Sequence, residues 1–333
     1  MVFFDQLNIC QVSLARDLPI IKDNLVKFNN FFPNALFKII CPKTEITIFK
    51  EIEKQNKLEI IDQDQIINFE KFKKIFYEEA KNISYWDQLN KRLGWYYQQV
   101  LKISFVLDFV KKNNENIIIW DSDTVIVNRL NFFEADYSIR YATVSEFFKA
   151  YYLTNKTIIG FLPNYFLSSL IQFVALTKKE NDNLFAVLEN FFKKSNLDTG
   201  EWVSKIIAKS VCDTHKEFNG SMFSEYELIG MSNLILKTKK QKIILTLRHN
   251  LNGKLTKLQY AIIKFLNFKH VTYEHSHPNK NSDGMLERNQ TWLAFLGILI
   301  KSLSNFMFRL IKHELLFQLS LKEKNKKLDF IYR

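Results

Sequence analysis

Apolar positions along this chain fall into short, mostly apolar runs, separated by longer stretches whose apolar residues recur at helical spacing. Residues 7–14 (LNICQVSL), 35–41 (ALFKIIC), 58–61 (LEII) and 116–120 (NIIIW) are the runs. A strand covered on both faces reads this way, because neither face carries many polar residues, so each run predicts a strand in a helix-covered sheet, most plainly the fully apolar 117–120. Asp17 followed by Pro19 marks the start of a helix that ends near Asn30. Residues 69–110 predict helix with an interruption near Gly94, residues 125–127 resume an apolar run, and residues 140–215 are helical and aromatic. Residues 241–247 (QKIILTL) predict a late strand, and 289–321 a last long helix with Lys301, Asn305, Arg309 and Lys312 on one face. Alternating strands and helices predict an α/β fold with an open, mostly parallel sheet. The expected division is one domain over residues 1–280 and a helical, basic, amphipathic extension over 281–333.

Composition supports long helices and buried strands. With 333 residues and 47% apolar content the chain can bury a large core, and 31 Phe against 8 Gly and 5 Pro argues against a turn-rich β-sandwich. The formal charge of +12 calls for an anionic partner without choosing among nucleic acid, membrane and phosphorylated small molecule. No nucleic-acid-binding module accompanies the scattered lysines, so nucleic acid is not expected as a partner. Cys10, Cys41 and Cys212 are too few and too widely spaced for a disulfide framework or a metal knuckle. Residues 1–18 lack the pattern of a secretory signal, and the apolar run 292–300 falls short of the roughly 18 to 20 residues that span a bilayer. The expected location is cytoplasmic, with peripheral contact on the inner face of the membrane through the basic C-terminal stretch and its lysine-rich end at 322–327.

The candidate chemistry begins at the end of the fourth run. Asp121 and Asp123 stand two apart around Ser122, so an extended backbone would turn both carboxylates to one side and the serine away. Ligands of open α/β sheets bind beyond the carboxyl ends of strands, where this box falls. Two carboxylates suit Mg²⁺ or Mn²⁺, whose remaining positions are filled by substrate phosphates, as in a nucleoside diphosphate donor. A solvated turn is the plain alternative for so short a pattern.

Four segments in order resemble a bacterial family of GT-A-type nucleotide-sugar glycosyltransferases: the first strand with Arg16 and Asp17, the stretch Gly94 to Lys102 (GWYYQQVLK), the Asp121-Ser122-Asp123-Thr124 box, and 223–230 (FSEYELIG). They span about residues 7 to 250. The resemblance implies the GT-A fold and metal-dependent transfer of a sugar from a nucleotide-sugar donor. The acceptor class expected is a glycan or a lipid-linked molecule, in bacterial surface polysaccharide synthesis.

Beside that resemblance, several residues offer roles on their own chemistry. Gln98 and Lys102 share a helix face and could look into a donor site, the lysine toward phosphate, unless they are the solvated side of an ordinary amphipathic helix. Glu225 is the first choice for the carboxylate that takes a proton from an acceptor hydroxyl. Glu227 is the second, although Ser224 followed three residues later by Glu227 also fits a helix-capping box. Arg16 and Asp17 follow the first strand, where nucleotide base and ribose rest in this architecture, and Asp17 equally suits a helix cap. His249 is the expected third metal ligand and Arg248 a phosphate contact. His275 and His277 have zinc-like spacing but no accompanying cluster.

A rival uses the same box differently. Strand-Asp121-x-Asp123-Thr124 also resembles the nucleophile loop of haloacid-dehalogenase-type phosphatases, in which Asp121 would attack phosphate. That loop normally follows the first strand, and its later paired-acid motif has no counterpart here. A non-enzymatic lipid or nucleic-acid binder is the third reading.

Overall fold

The computed structural model describes residues 7–54, 56–134, 137–139, 141–142, 148–160, 168–214, 221–234, 242–247, 251, 253–273 and 290–324. The chain opens with β1 (Asn8–Val12), α1 (Leu18–Phe31), β2 (Leu36–Cys41), α2 (Ile46–Glu53) and β3 (Leu58–Asp62). Three helices follow, α3 (Phe69–Ala80), α4 (Trp86–Asn90) and α5 (Leu93–Asn113), and then β4 (Ile117–Trp120) and β5 (Thr124–Ile126). β1 pairs in parallel with β2 on one side and β4 on the other, and β2 pairs in parallel with β3.

Beyond β5 lie the two-residue strands β6 (Phe133–Glu134), β7 (Tyr137–Ser138) and β8 (Tyr141–Ala142), then α6 (Lys149–Ile159). β9 (Phe173–Leu176) joins the sheet antiparallel to β4, giving the order β3-β2-β1-β4-β9. The central sheet is thus mostly parallel, in a mixed α/β fold. α7 (Lys178–Phe191) and α9 (Glu225–Leu234) join α5 on one of its faces, and α8 (Thr199–Thr214) packs over α3 and α5. β10 (Lys242–Ile243), α10 (Lys257–Phe265), β11 (His270–Thr272) and α11 (Trp292–Lys324) complete the described elements.

Strand alternation sorts the core into two layers. Ile117 and Ile119 join Cys10 and Ile40 in the cluster under α3, α5 and α8, while Ile118 and Trp120 join Ile9 and Ile39 in the cluster under α1 and α2. Both faces of β4 are therefore dry, which is why its sequence is apolar without a break. Gly200 lets α8 lie directly on the backbone at Ile66; a Cβ there would collide with the Ile66 carbonyl and the Ile67 side chain. A third cluster gathers Val125, Leu247, Ile263, Phe268, Val271, Phe295 and Leu299, so that α10 and the start of α11 pack over the antiparallel pair β5–β11.

Some expectations shift. The break in residues 69–110 comes between Lys81 and Arg92, where α4 intervenes, while Gly94 sits inside the first turn of α5 in open space. α5 instead ends at Asn114, whose left-handed φ of 56° and bond from its N–H to the Val110 carbonyl close the helix. Among the described residues, 140–215 hold β8 and β9 as well as helices, and 242–247 hold β10 and a bridge from Leu247 to Val271.

Candidate functional site

Three parallel strands end at one edge, and the chain leaving each of them lines a cleft of about 670 Å³. Ser13 follows β1, Pro42 follows β2 and Asp121 follows β4; α5 supplies one wall and the start of α9 another. The cleft lies at the carboxyl ends of the strands, where crossover loops of an open sheet leave a crevice. Arg16, Asp17, Gln98, Lys102, Asp121, Ser122, Asp123 and Glu225 all line it.

The Asp121–Asp123 box is a turn rather than extended chain. Thr124 N–H reaches back to the Asp121 carbonyl at 3.2 Å, and Asp121 N–H donates to the Gln172 carbonyl at 2.9 Å. Strand alternation therefore stops at Trp120, and Ser122 does not face away from the cleft. Its hydroxyl donates to Asp17 Oδ2 at 2.9 Å, tying the loop after β1 to the loop after β4. Asp17 also accepts from Leu14 N–H at 3.3 Å and makes no side-chain bond to the first turn of α1, so its carboxylate fastens these loops instead of capping that helix. Arg16, with a largely exposed side chain, is 3.8 Å from Asp17 Oδ1.

Lys102 is the buried hub. It enters from the sheet side of α5 and gives Asp121 Oδ1 a bond of 2.5 Å and Glu225 Oε1 one of 2.7 Å. Its third contact is the Tyr226 hydroxyl at 3.5 Å, so all three ammonium protons have partners. Tyr226 in turn donates to Asp121 Oδ1 at 2.6 Å. Burial alone would lower the lysine amine, but the carboxylates of Asp121 and Glu225 outweigh it and push its pKa up. Burial pushes the Glu225 carboxyl above the usual range; Lys102 opposes this and Asp121 reinforces it. Two carboxylates share this one ammonium, so the Glu225 carboxyl ionises against both its burial and the charge of Asp121.

Neighbouring residues fix these groups. Gln99 is buried and accepts the Glu225 N–H through Oε1 at 3.1 Å, while Gln98, one position earlier on α5, lines the cleft. Glu225 and Tyr226 fall in the first turn of α9, where free backbone N–H groups favour a carboxylate. Glu227, expected as a second acid of the site, lies outside the cleft lining. Its backbone N–H meets Ser224 Oγ at 3.4 Å, half of a capping box, but its carboxylate binds Ser168 Oγ at 2.6 Å and Ser169 N–H at 3.2 Å. It thereby anchors the loop that leads to Gln172.

Asp121 and Asp123 could hold a divalent cation. Both bonds to Asp121 fall on Oδ1, and no described residue bonds its Oδ2. Asp123 shares the cleft and accepts from Thr124 Oγ1 at 3.2 Å. Two carboxylates with room for phosphate oxygens fit Mg²⁺ or Mn²⁺, which dehydrate reluctantly and need few protein ligands. Among the described residues no group of three His, Cys, Asp or Glu side chains is placed to share a metal. Arg248 and His249, like His275 and His277, lie outside the described residues. Sequence reasoning missed Tyr226 and Gln99, although both adjoin residues it singled out.

No protein-family model matches the chain, and no curated protein matches it in sequence. Among solved structures it is similar to mouse xyloside xylosyltransferase 1 in its apo form, with 11% identity, 83% of this chain and 100% of that chain covered, and a TM-score of 0.41. An active-site mutant of LgtC overlaps at 10% identity over 89% of this chain and 96% of its own, with a TM-score of 0.42. The galactosyltransferase LgtC in complex with donor and acceptor sugar analogs overlaps at 9% identity, over 88% and 95% of the two chains, with a TM-score of 0.39. Roughly one residue in ten is shared, and the chemistry of this cleft follows from its own side chains.

Proposed function

We propose that this chain is a metal-dependent glycosyltransferase that moves a sugar from a nucleoside-diphosphate donor to a glycan or lipid-linked acceptor. The observation that carries this reading is the meeting, in one cleft of about 670 Å³, of Asp121, Asp123 and Glu225, with Asp121 and Glu225 linked through a single buried lysine. The volume lies in the range of small-ligand pockets. Asp121 and Asp123 would hold a divalent cation, which would supply charge neutralisation for a diphosphate leaving group. Ser122 and Asp17 form a polar ledge beside the first strand for the nucleoside, with exposed Arg16 able to reach a phosphate. Gln98 offers its amide to the sugar.

Glu225 takes the proton of the attacking acceptor hydroxyl. Its carboxyl, held above the ordinary range by burial, is a stronger base than a solvated glutamate once ionised. Lys102 holds that carboxylate at a fixed distance from the cation site and, being saturated by protein partners, acts on Glu225 and Asp121 rather than on phosphate. Asp121 as a phosphate-attacking nucleophile has less support. Its Oδ1 is held by Lys102 and Tyr226, and the box follows the fourth strand instead of the first.

Calorimetric titration with UDP, GDP, CDP and their sugar conjugates, in Mn²⁺, in EDTA and with Asp123→Ala, tests the reading. The expected result is tight binding of one nucleotide that disappears in both controls. Absence of nucleotide binding in every condition overturns it.

A further inference from the structure

The C-terminal helices present a surface that the cleft does not use. α11 packs inward through Phe295 and Leu299, yet Leu293, Leu296, Ile300, Met307 and Ile311 all face water. Their spacing of three, four, seven and four residues keeps them on one stripe of the helix. Leu293 is 86% exposed and Phe308, beside the stripe, 72%. α10, which shares the same core cluster, adds Leu258 and Phe265, the latter 89% exposed. Single exposed apolar residues are ordinary, but a row of five on one stripe of a helix, with two more on a helix of the same core cluster, marks an interaction surface.

Charge identifies what that surface meets. Residues 228–273 and 290–313 contain no Asp or Glu at all. Lys254, Lys257, Lys264 and Lys301 are exposed on and around the two helices. Two copies of such a face would bring like charges together, which disfavours self-association. A surface of anionic headgroups over hydrocarbon satisfies both halves of the pattern, since lysines meet the headgroups while the apolar row sinks to the acyl boundary. Among the described residues no helix is long and apolar enough to cross a membrane. We infer that the exposed faces of α10 and α11 dock the protein onto an anionic lipid surface, with Leu293, Leu296, Ile300 and Phe265 as the inserted side chains. This holds whether or not the cleft transfers sugar.

Flotation of the full chain with vesicles tests the inference. Vesicles of phosphatidylcholine containing phosphatidylglycerol should carry the protein up, phosphatidylcholine alone should carry far less, and high salt should weaken the difference because exposed charges are screened. Replacing both Leu296→Gln and Ile300→Gln should lower partitioning on the order of tenfold or more, as apolar burial is lost. Lys257→Glu with Lys264→Glu should reduce it by a separate, salt-sensitive amount; circular dichroism of both variants should match the parent. Equal flotation on both vesicle types, no flotation on either, or unchanged binding by both variants overturns the inference. So does light scattering that shows a dimer split by the Leu296→Gln, Ile300→Gln variant.

Discussion

The cleft and the outer face of α10 and α11 hold their charges in opposite ways. In the cleft, Lys102, Glu225 and Tyr226 are buried against a partly exposed Asp121 and each bond is specific: one ammonium, two carboxylates and one phenol, all within hydrogen-bond reach. On the outer face the charges have one sign, stand in water and have no acid among their sequence neighbours. The first arrangement depends on pairwise geometry, and the second on composition spread over a surface. Substitutions in the cleft should therefore cost stability and chemistry together, whereas substitutions on the face should cost neither.

The sharpest way to break this contrast is Lys102→Met. It leaves Glu225 buried without a counter-charge, beside a partly exposed Asp121, and should cost about 3–5 kcal/mol in urea denaturation; an unchanged midpoint would mean that the Glu225 carboxyl is relieved by taking a proton or regaining water. Glu225→Gln keeps shape and removes the base, so transfer should fall about 10²–10⁴-fold while nucleotide affinity holds. The same variant reads the proton on Glu225. A carboxyl whose pKa is raised by folding contributes stability that is fully present below the ordinary glutamate value and lost as pH rises through the raised one. Across that window the parent should lose stability relative to Glu225→Gln, and parallel stability curves would contradict the burial of an ionising group there. Tyr226→Phe removes one bond to Asp121 Oδ1 and should cost about 1.5–3 kcal/mol, measured the same way. At the other end of the scale, Ile300→Gln on the outer face should change stability by no more than about 0.5 kcal/mol.

The sequence made the sheet legible and left the site half-drawn, for physical reasons. β1, β2 and β4 are buried on both faces or nearly so, and burial writes itself as mostly apolar runs, without a break in β4; the edge strand β3 is only partly covered and keeps Glu59 in its run. The box beyond β4 was visible because polar residues end such a run abruptly. Its internal geometry was hidden, since a turn that bonds Thr124 N–H to the Asp121 carbonyl cancels the strand period that would separate Ser122 from its neighbours. Spacing on α5 placed Gln98 and Lys102 on one face but could not tell that the lysine would be spent on two carboxylates, nor that Gln99 would hold the Glu225 backbone. Local periodicity carries no information on which distant segment comes to lie opposite. β9, at residues 173–176, went unread because four apolar residues in an aromatic, helix-rich stretch favour no period. Glu227 fitted the capping pattern, and only the fold could show that Ser168 and Ser169 would claim its carboxylate.

The long reach of Lys102 has a consequence for how the molecule is made. Its first carboxylate lies 19 residues downstream and its second 123 residues downstream. At roughly 5–20 residues per second of synthesis, the ribosome delivers Glu225 about 6–25 s after the lysine. Throughout that interval α5 carries an ammonium on the side destined for the interior, with only Asp121 to neutralise it, so the helix gains little by docking fully before α9 has emerged. A cluster assembled from segments 19 and 123 residues apart is thus complete only after the later segment has been translated.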